Sequence, residues 1–155
     1  MILAATLALT PVVLSSPRND ADRAARAVEI ATRRTPGFVL ELTPGGGDRR
    51  MWSVYIRGRD GRVVEKYVNL EQGRITETER VDDQEKTSMR PPARAISVVK
   101  AVERALCEAP GRLRTAELER RGTRHVWWIQ VDREGRSGVS SLAFDAVTGR
   151  PVSPL

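Results

Sequence analysis

The chain is poor in the residues on which most enzymes rely. It has one cysteine, Cys107, and one histidine, His125, in 155 residues. A single cysteine excludes an intrachain disulfide and a cysteine-built zinc centre. A single histidine excludes an HExxH helix and any multi-histidine metal site. Aromatic residues make up only 5%, so each tryptophan carries weight. Lysine is scarce as well: of 26 basic residues only Lys66, Lys86 and Lys100 are lysine, and the rest are arginine. No run of like charge reaches five residues, and no apolar run reaches the roughly 20 residues that cross a bilayer as a helix. The sequence has no GxSxG element and no paired-carboxylate signature. No catalytic residue, cofactor or metal site is expected.

What is present is enough for a folded core. Apolar residues are 40% and charged residues 30%, which places the chain among globular proteins rather than disordered ones. Its length fits one ordinary domain or two very small ones. The net charge of +6 comes from bases interspersed with 20 acids. That pattern reads first as solvated surface cations, and second as a means of meeting an anionic partner.

Residues 2–14, Ile-Leu-Ala-Ala-Thr-Leu-Ala-Leu-Thr-Pro-Val-Val-Leu, have the length of a signal-peptide apolar region. Small residues near Ser15 suit cleavage. No basic residue precedes the run and no cysteine follows it, so a lipid-modified cysteine is not expected there. Residues 1–17 are read as a signal-peptide-like segment, and the protein as exported. Membrane contact is expected only through this segment, if it stays uncleaved.

The chain repeats itself at an offset of 74. Residues 26–37, Arg-Ala-Val-Glu-Ile-Ala-Thr-Arg-Arg-Thr-Pro-Gly, match residues 100–111, Lys-Ala-Val-Glu-Arg-Ala-Leu-Cys-Glu-Ala-Pro-Gly, at six of twelve positions. Ala21, Ala24, Ala25, Val28, Ala31 and Thr32 form one helical stripe, and Ala95, Val98, Val99, Val102, Ala105 and Leu106 repeat its spacing. Asn19 or Asp20 can cap the first helix, and Pro-Gly ends each one.

Three strands follow each helix, near 38–43, 51–57 and 62–69, then near 113–119, 125–132 and 138–144. Trp52, Val54 and Ile56 alternate with Ser53, Tyr55 and Arg57, and Asp60-Gly61 closes a hairpin. The expected fold is α+β: two tandem small modules, each one helix packed on a three-stranded antiparallel sheet. The modules span 18–77 and 93–155, joined by a polar linker at 78–92.

The helix ending in Pro-Gly, the aromatic strand, the acidic-Gly turn and the terminal D-x-x-T-G resemble the PepSY family. The closer match is Ala101 to Ala105, Pro110-Gly111, Trp127 to Val131, Glu134-Gly135 and Phe144 to Arg150. The first copy matches through Pro36-Gly37, Trp52 to Ile56, Asp60-Gly61 and Asn69 to Arg74, with Asn69 where the pattern has Asp. The resemblance implies an exported, non-catalytic protein-binding domain, with peptidase inhibition or regulation as the family's suggested role. It carries over no catalytic residue.

Trp52 and Trp127 are expected to face the helices. Tyr55 and Trp128 point the other way, as the joint between the modules or as exposed anchors for a partner. Arg49, Arg50, Arg120 and Arg121 lie in matching hairpins and are expected to form a basic tip. Such a tip would suit an acidic partner, an envelope surface or, as the alternative function, a polyanion. Gly45-Gly46-Gly47 lacks the Lys-Ser/Thr and the helix of a phosphate cradle, so it reads as a hairpin loop. Asp145 is expected to shape its turn through backbone amides, His125 to take a packing or rim role, and Cys107 to be incidental.

Overall fold

The computed structural model describes residues 17–135 and 137–153; the apolar segment at 2–14 lies outside the described residues. The elements are α1 (Pro17–Thr32), β1 (Gly37–Gly45), β2 (Met51–Gly58), β3 (Val63–Asn69), β4 (Arg74–Arg80), α2 (Gln84–Ser88), α3 (Val98–Glu108), β5 (Gly111–Arg121), β6 (Arg124–Arg133) and β7 (Val139–Asp145). All seven strands join one sheet in the order β4-β3-β2-β1-β5-β6-β7, and every neighbouring pair is antiparallel.

This overturns the expectation of two tandem α-β-β-β modules. The first half contributes four strands rather than three, a third helix is present, and the halves share one sheet and one core. The segment 78–92, expected as a linker, holds the end of β4 and the whole of α2. The sequence echo relates two halves of one sheet. Leu42 and Ala116, separated by the same offset as the echo, are direct partners where β1 meets β5. Only one further pair, Glu41 with Glu117, is in register along this seam.

Helices α1 and α3 pack on one face of the sheet and against each other. Burial along β2 alternates, with Trp52, Val54 and Ile56 at 0% exposure and the residues between them half-buried. That is the period-two pattern of a sheet with one covered face. In α3 the buried residues are Val98, Ala101, Val102, Ala105 and Leu106. In α1 the buried arc is Asp20, Ala24, Ala27, Ile30 and Ala31. It is turned from the expected stripe because α1 is covered by α3 as well as by the sheet. Alanines in both arcs let the helices lie close to their neighbours.

Gly37 and Gly111 open the first strand of each half. A Cβ at either would collide with a backbone carbonyl, that of Arg57 or of Asp132. These glycines are required by the close approach of the neighbouring strand. The sheet edges are guarded differently. Every residue of β4 except Ile75 is exposed, and its charges discourage edge pairing. Along β7, Pro151 bridges to Phe144, and the Val152 amide donates to the Ala143 carbonyl at 2.9 Å.

Candidate functional site

The face of the sheet opposite α1 and α3 carries one continuous cross-strand row. Glu79 pairs with Glu65, Glu65 with Tyr55, Tyr55 with Glu41, Glu41 with Glu117, Glu117 with Trp128, and Trp128 with Ala143. Directly opposite residues share a face, so the row crosses all seven strands. Tyr55 and Trp128 flank the glutamate pair, roughly 14 Å apart at three strand spacings. Both are half-buried. They therefore lie on one surface on either side of the seam, and they are not pressed between two sheets. The halves meet edge to edge.

Two carboxylates directly opposite one another repel. Here a lysine from α2 answers them. The Lys86 ammonium is ion-paired with Glu41 and with Glu117, the latter at 3.0 Å, and lies 4.7 Å from the centre of the Tyr55 ring. The side chains are 22% exposed for Lys86, 16% for Glu41 and 30% for Glu117, so solvent screens the triad only in part. Burial taken alone pushes the Lys86 ammonium down, but its bonds to Glu41 and Glu117 prevail and hold it above the ordinary lysine value. Burial, and after it the Glu65 carboxylate, push the Tyr55 phenol far up. The Ser53 hydroxyl donates to Glu65 at 2.5 Å.

Helix α2 is thereby strapped across the seam. Asp83 caps it by accepting from the Lys86 amide. At its exit the Thr87 carbonyl accepts from Arg57 at 3.0 Å and from Arg90 at 2.9 Å. Met89, 9% exposed, joins the core. No residue of α2 itself is buried.

The four arginines expected as one basic tip do not come together. Strands β1 and β5 are antiparallel, so the hairpin after β1 and the hairpin after β5 lie at opposite ends of the sheet. Arg49 is also withdrawn from solvent, at 6% exposure. Its guanidinium bonds Asp20 at 2.9 Å and donates to the Leu113 carbonyl, and its backbone adopts φ 54°. Asp20 also accepts from the Leu113 amide at 2.8 Å. It is therefore a tie between α1 and β5 rather than a helix cap. Arg50 pairs with Asp48 and Glu71 in solvent, and Arg121 with Glu119. Arg120 is exposed opposite His125.

Other expectations meet the structure directly. Trp52 and Trp127 are fully buried, at 0% exposure, and Trp127 stacks with Phe38. Asp145 accepts from the amides of Val147 and Thr148 at 3.0 and 2.8 Å. Asn69 takes the same part in the first half, accepting from the Gln72 amide at 2.9 Å. Cys107 is exposed. Among the described residues no group of three metal-ligating side chains converges, and no helix is long and apolar enough to cross a membrane.

Sequence reasoning missed Glu41, Glu117 and Lys86. One signal was available. In a chain that writes arginine for its surface cations, a lysine is unusual, and two of the three lysines have specific seats. Lys66, 4% exposed, donates to the Ala31 carbonyl at 3.1 Å and to Thr35 at 2.6 Å. It thus satisfies the carboxyl end of α1.

No family model matches the chain, and no curated protein does. The resemblance to the PepSY family therefore rests on its motifs alone. Two solved structures match the chain. One is a putative lipoprotein from Clostridium difficile 630, with TM-score 0.51, 15% identity, and 82% of this chain and 88% of that chain covered. The other is the YpmB protein from Bacillus subtilis, with TM-score 0.37, 17% identity, and 83% and 92% covered. The first likeness places this chain in a fold known from another protein and goes no further.

Proposed function

We propose that this is an exported, non-enzymatic protein whose sheet face opposite α1 and α3, on either side of the α2 strap, binds another protein. The observation that carries the reading is the row Glu65–Tyr55–Glu41–Glu117–Trp128. Tyrosine and tryptophan are among the residue types enriched at interface hot spots. The opposite face is taken up by α1 and α3 and cannot serve. Glu65 and Glu79, the carboxylates of the row outside the Lys86 triad, favour a partner that presents lysine or arginine.

Export is supported by the apolar run at 2–14 and accords with the fold's similarity to that lipoprotein. A peptidase is the first partner class to test, on the family resemblance. The mechanism would be occlusion of the partner's surface, which requires no catalytic group on this chain.

The test is affinity capture from the envelope and medium fractions of the producing organism with the full chain. Wild type is compared with a Tyr55→Ala/Trp128→Ala variant and with Arg34→Gln, an exposed arginine just after α1, at low and high salt. A specific protein held by wild type and Arg34→Gln but lost by the aromatic double variant supports the reading. Equal retention by all three, or retention only of polyanion that salt releases, overturns it.

A further inference from the structure

We propose a second, separate site: a phosphoryl-type anion binds in the groove between the exit of α2 and the tip of the β5–β6 hairpin, held by Arg90 and Arg120, with Arg57 adding positive charge behind Arg90. The groove has a volume of about 350 Å³ and is lined by Glu85, Ser88, Met89, Arg90, Arg120 and His125. That size lies in the range of small-ligand clefts.

Three observations favour an anion there. First, the guanidiniums of Arg57 and Arg90 converge on a single oxygen, the Thr87 carbonyl, at 3.0 and 2.9 Å. Two like charges meet, and no carboxylate lies within 4.0 Å of either among the described residues. Burial, and after it the charge of Arg90, hold the Arg57 guanidinium below its ordinary value, as expected of a crowded cation.

Second, most of the donors are unspent. A guanidinium offers five N–H groups. Arg57 uses one nitrogen, on Thr87, and Arg90 uses one, shared between the Thr87 and Met89 carbonyls. The planar fork of arginine matches the oxygens of a phosphoryl group. Third, Arg120 and His125 are direct cross-strand partners at the hairpin end and supply the opposite wall. Glu85 is the one carboxylate among the lining residues, and it opposes the anion.

The site lies at one end of the sheet, beyond the Glu41–Glu117 pair, and is independent of the proposed protein-binding row. The phosphoryl group could be a free anion or a lipid headgroup, which the same chemistry would hold.

The test uses the full chain at fixed ionic strength, which keeps general screening constant. Inorganic phosphate is titrated by calorimetry. In parallel, flotation is measured with vesicles of phosphatidylglycerol and phosphatidylcholine against phosphatidylcholine alone. Saturable binding in either arm is expected. Arg120→Gln should weaken it about tenfold, the loss of a charge-assisted bond, Arg90→Lys should weaken it less, and Glu85→Gln should tighten it. Arg50→Gln, in the hairpin at the opposite end of the sheet, should leave it unchanged.

Arg57→Gln is omitted because it would loosen α2; far-ultraviolet circular dichroism confirms folding of the others. Saturation by phosphate in solution identifies a free anion as the source, and binding only to anionic vesicles identifies a headgroup. No saturable binding in either arm overturns the proposal. So does equal weakening by Arg50→Gln, which would reduce the effect to overall charge.

Discussion

Replacing Lys86 by Met removes the one cation that separates Glu41 from Glu117. The two carboxylates then face each other directly across the seam. At a separation of about 5 Å and an effective dielectric constant of about 20, their repulsion is about 3 kcal/mol. Glu117 is 30% exposed and Glu41 16%, so solvent takes part of this. The cost falls between the roughly 0–1 kcal/mol of exposed pairs and the roughly 3–5 kcal/mol of buried ones. We expect about 2 kcal/mol, and a Tm lowered by about 4–8 °C.

The pH dependence gives the sharper check. In wild type the Lys86 ammonium is held above its ordinary value. Its contribution is therefore complete below the unfolded lysine pKa, about 10.4, and is lost as pH rises through the higher folded value. In Lys86→Met, repulsion raises a glutamate in the folded state, so the deficit exists at neutral pH and shrinks as pH falls toward about 4. Urea denaturation at pH 7 and pH 4 measures this, and Lys86→Met/Glu117→Gln should recover most of the loss at pH 7. A deficit that is the same at both pH values, and is not recovered by Glu117→Gln, would refute the electrostatic account of the seam.

Other expectations follow from single contacts. Asp20→Ala leaves the Arg49 guanidinium buried without its carboxylate and should cost roughly 3–5 kcal/mol by chemical denaturation, one of the largest single losses in the chain. Gly111→Ala forces a Cβ into the Asp132 carbonyl and should cost about 1–3 kcal/mol, with Gly37→Ala behaving alike. The backbone amide of Thr148 holds the Asp145 carboxyl below its ordinary value. Its contribution is present above the unfolded carboxylate pKa and is lost as pH falls through the lower folded one. Asp145→Asn should therefore flatten the acid limb of the stability profile.

Much of the fold was legible in the chain, and the parts that were not share a cause. Strand β2 announces itself through Trp52, Val54 and Ile56 because one of its faces is buried. Strand β4, Arg-Ile-Thr-Glu-Thr-Glu-Arg, sits at an edge with nearly every side chain in solvent, so no apolar alternation marks it. Helix α2 has five residues and buries none of them, so it has no stripe to read. The echo between residues 26–37 and 100–111 was real in sequence but silent about packing. Whether two halves meet face to face or edge to edge depends on Leu42, Ala116 and their neighbours, whose local pattern is the same in either arrangement.

The site was half legible for the same reason. Alternation places Tyr55 and Trp128 away from the helices, but the register that sets Glu41 beside Glu117 is a tertiary fact. Arg49 misled because a charged residue in a Gly-rich hairpin is ordinarily solvated. Only the buried Asp20 draws it inward.

The central claim is that the sheet face opposite α1 and α3, and not the face those two helices cover, meets a partner. Photo-crosslinking from single positions of the full chain in the producing cell's envelope tests it most directly. Gln130 and Tyr67 report on the sheet face, and Asp22 and Glu103, exposed on the helices, report on the other. The account predicts a protein adduct of one discrete mass from Gln130 and Tyr67 and none from Asp22 or Glu103. Adducts from the helical positions alone, or equally from both faces, would contradict it.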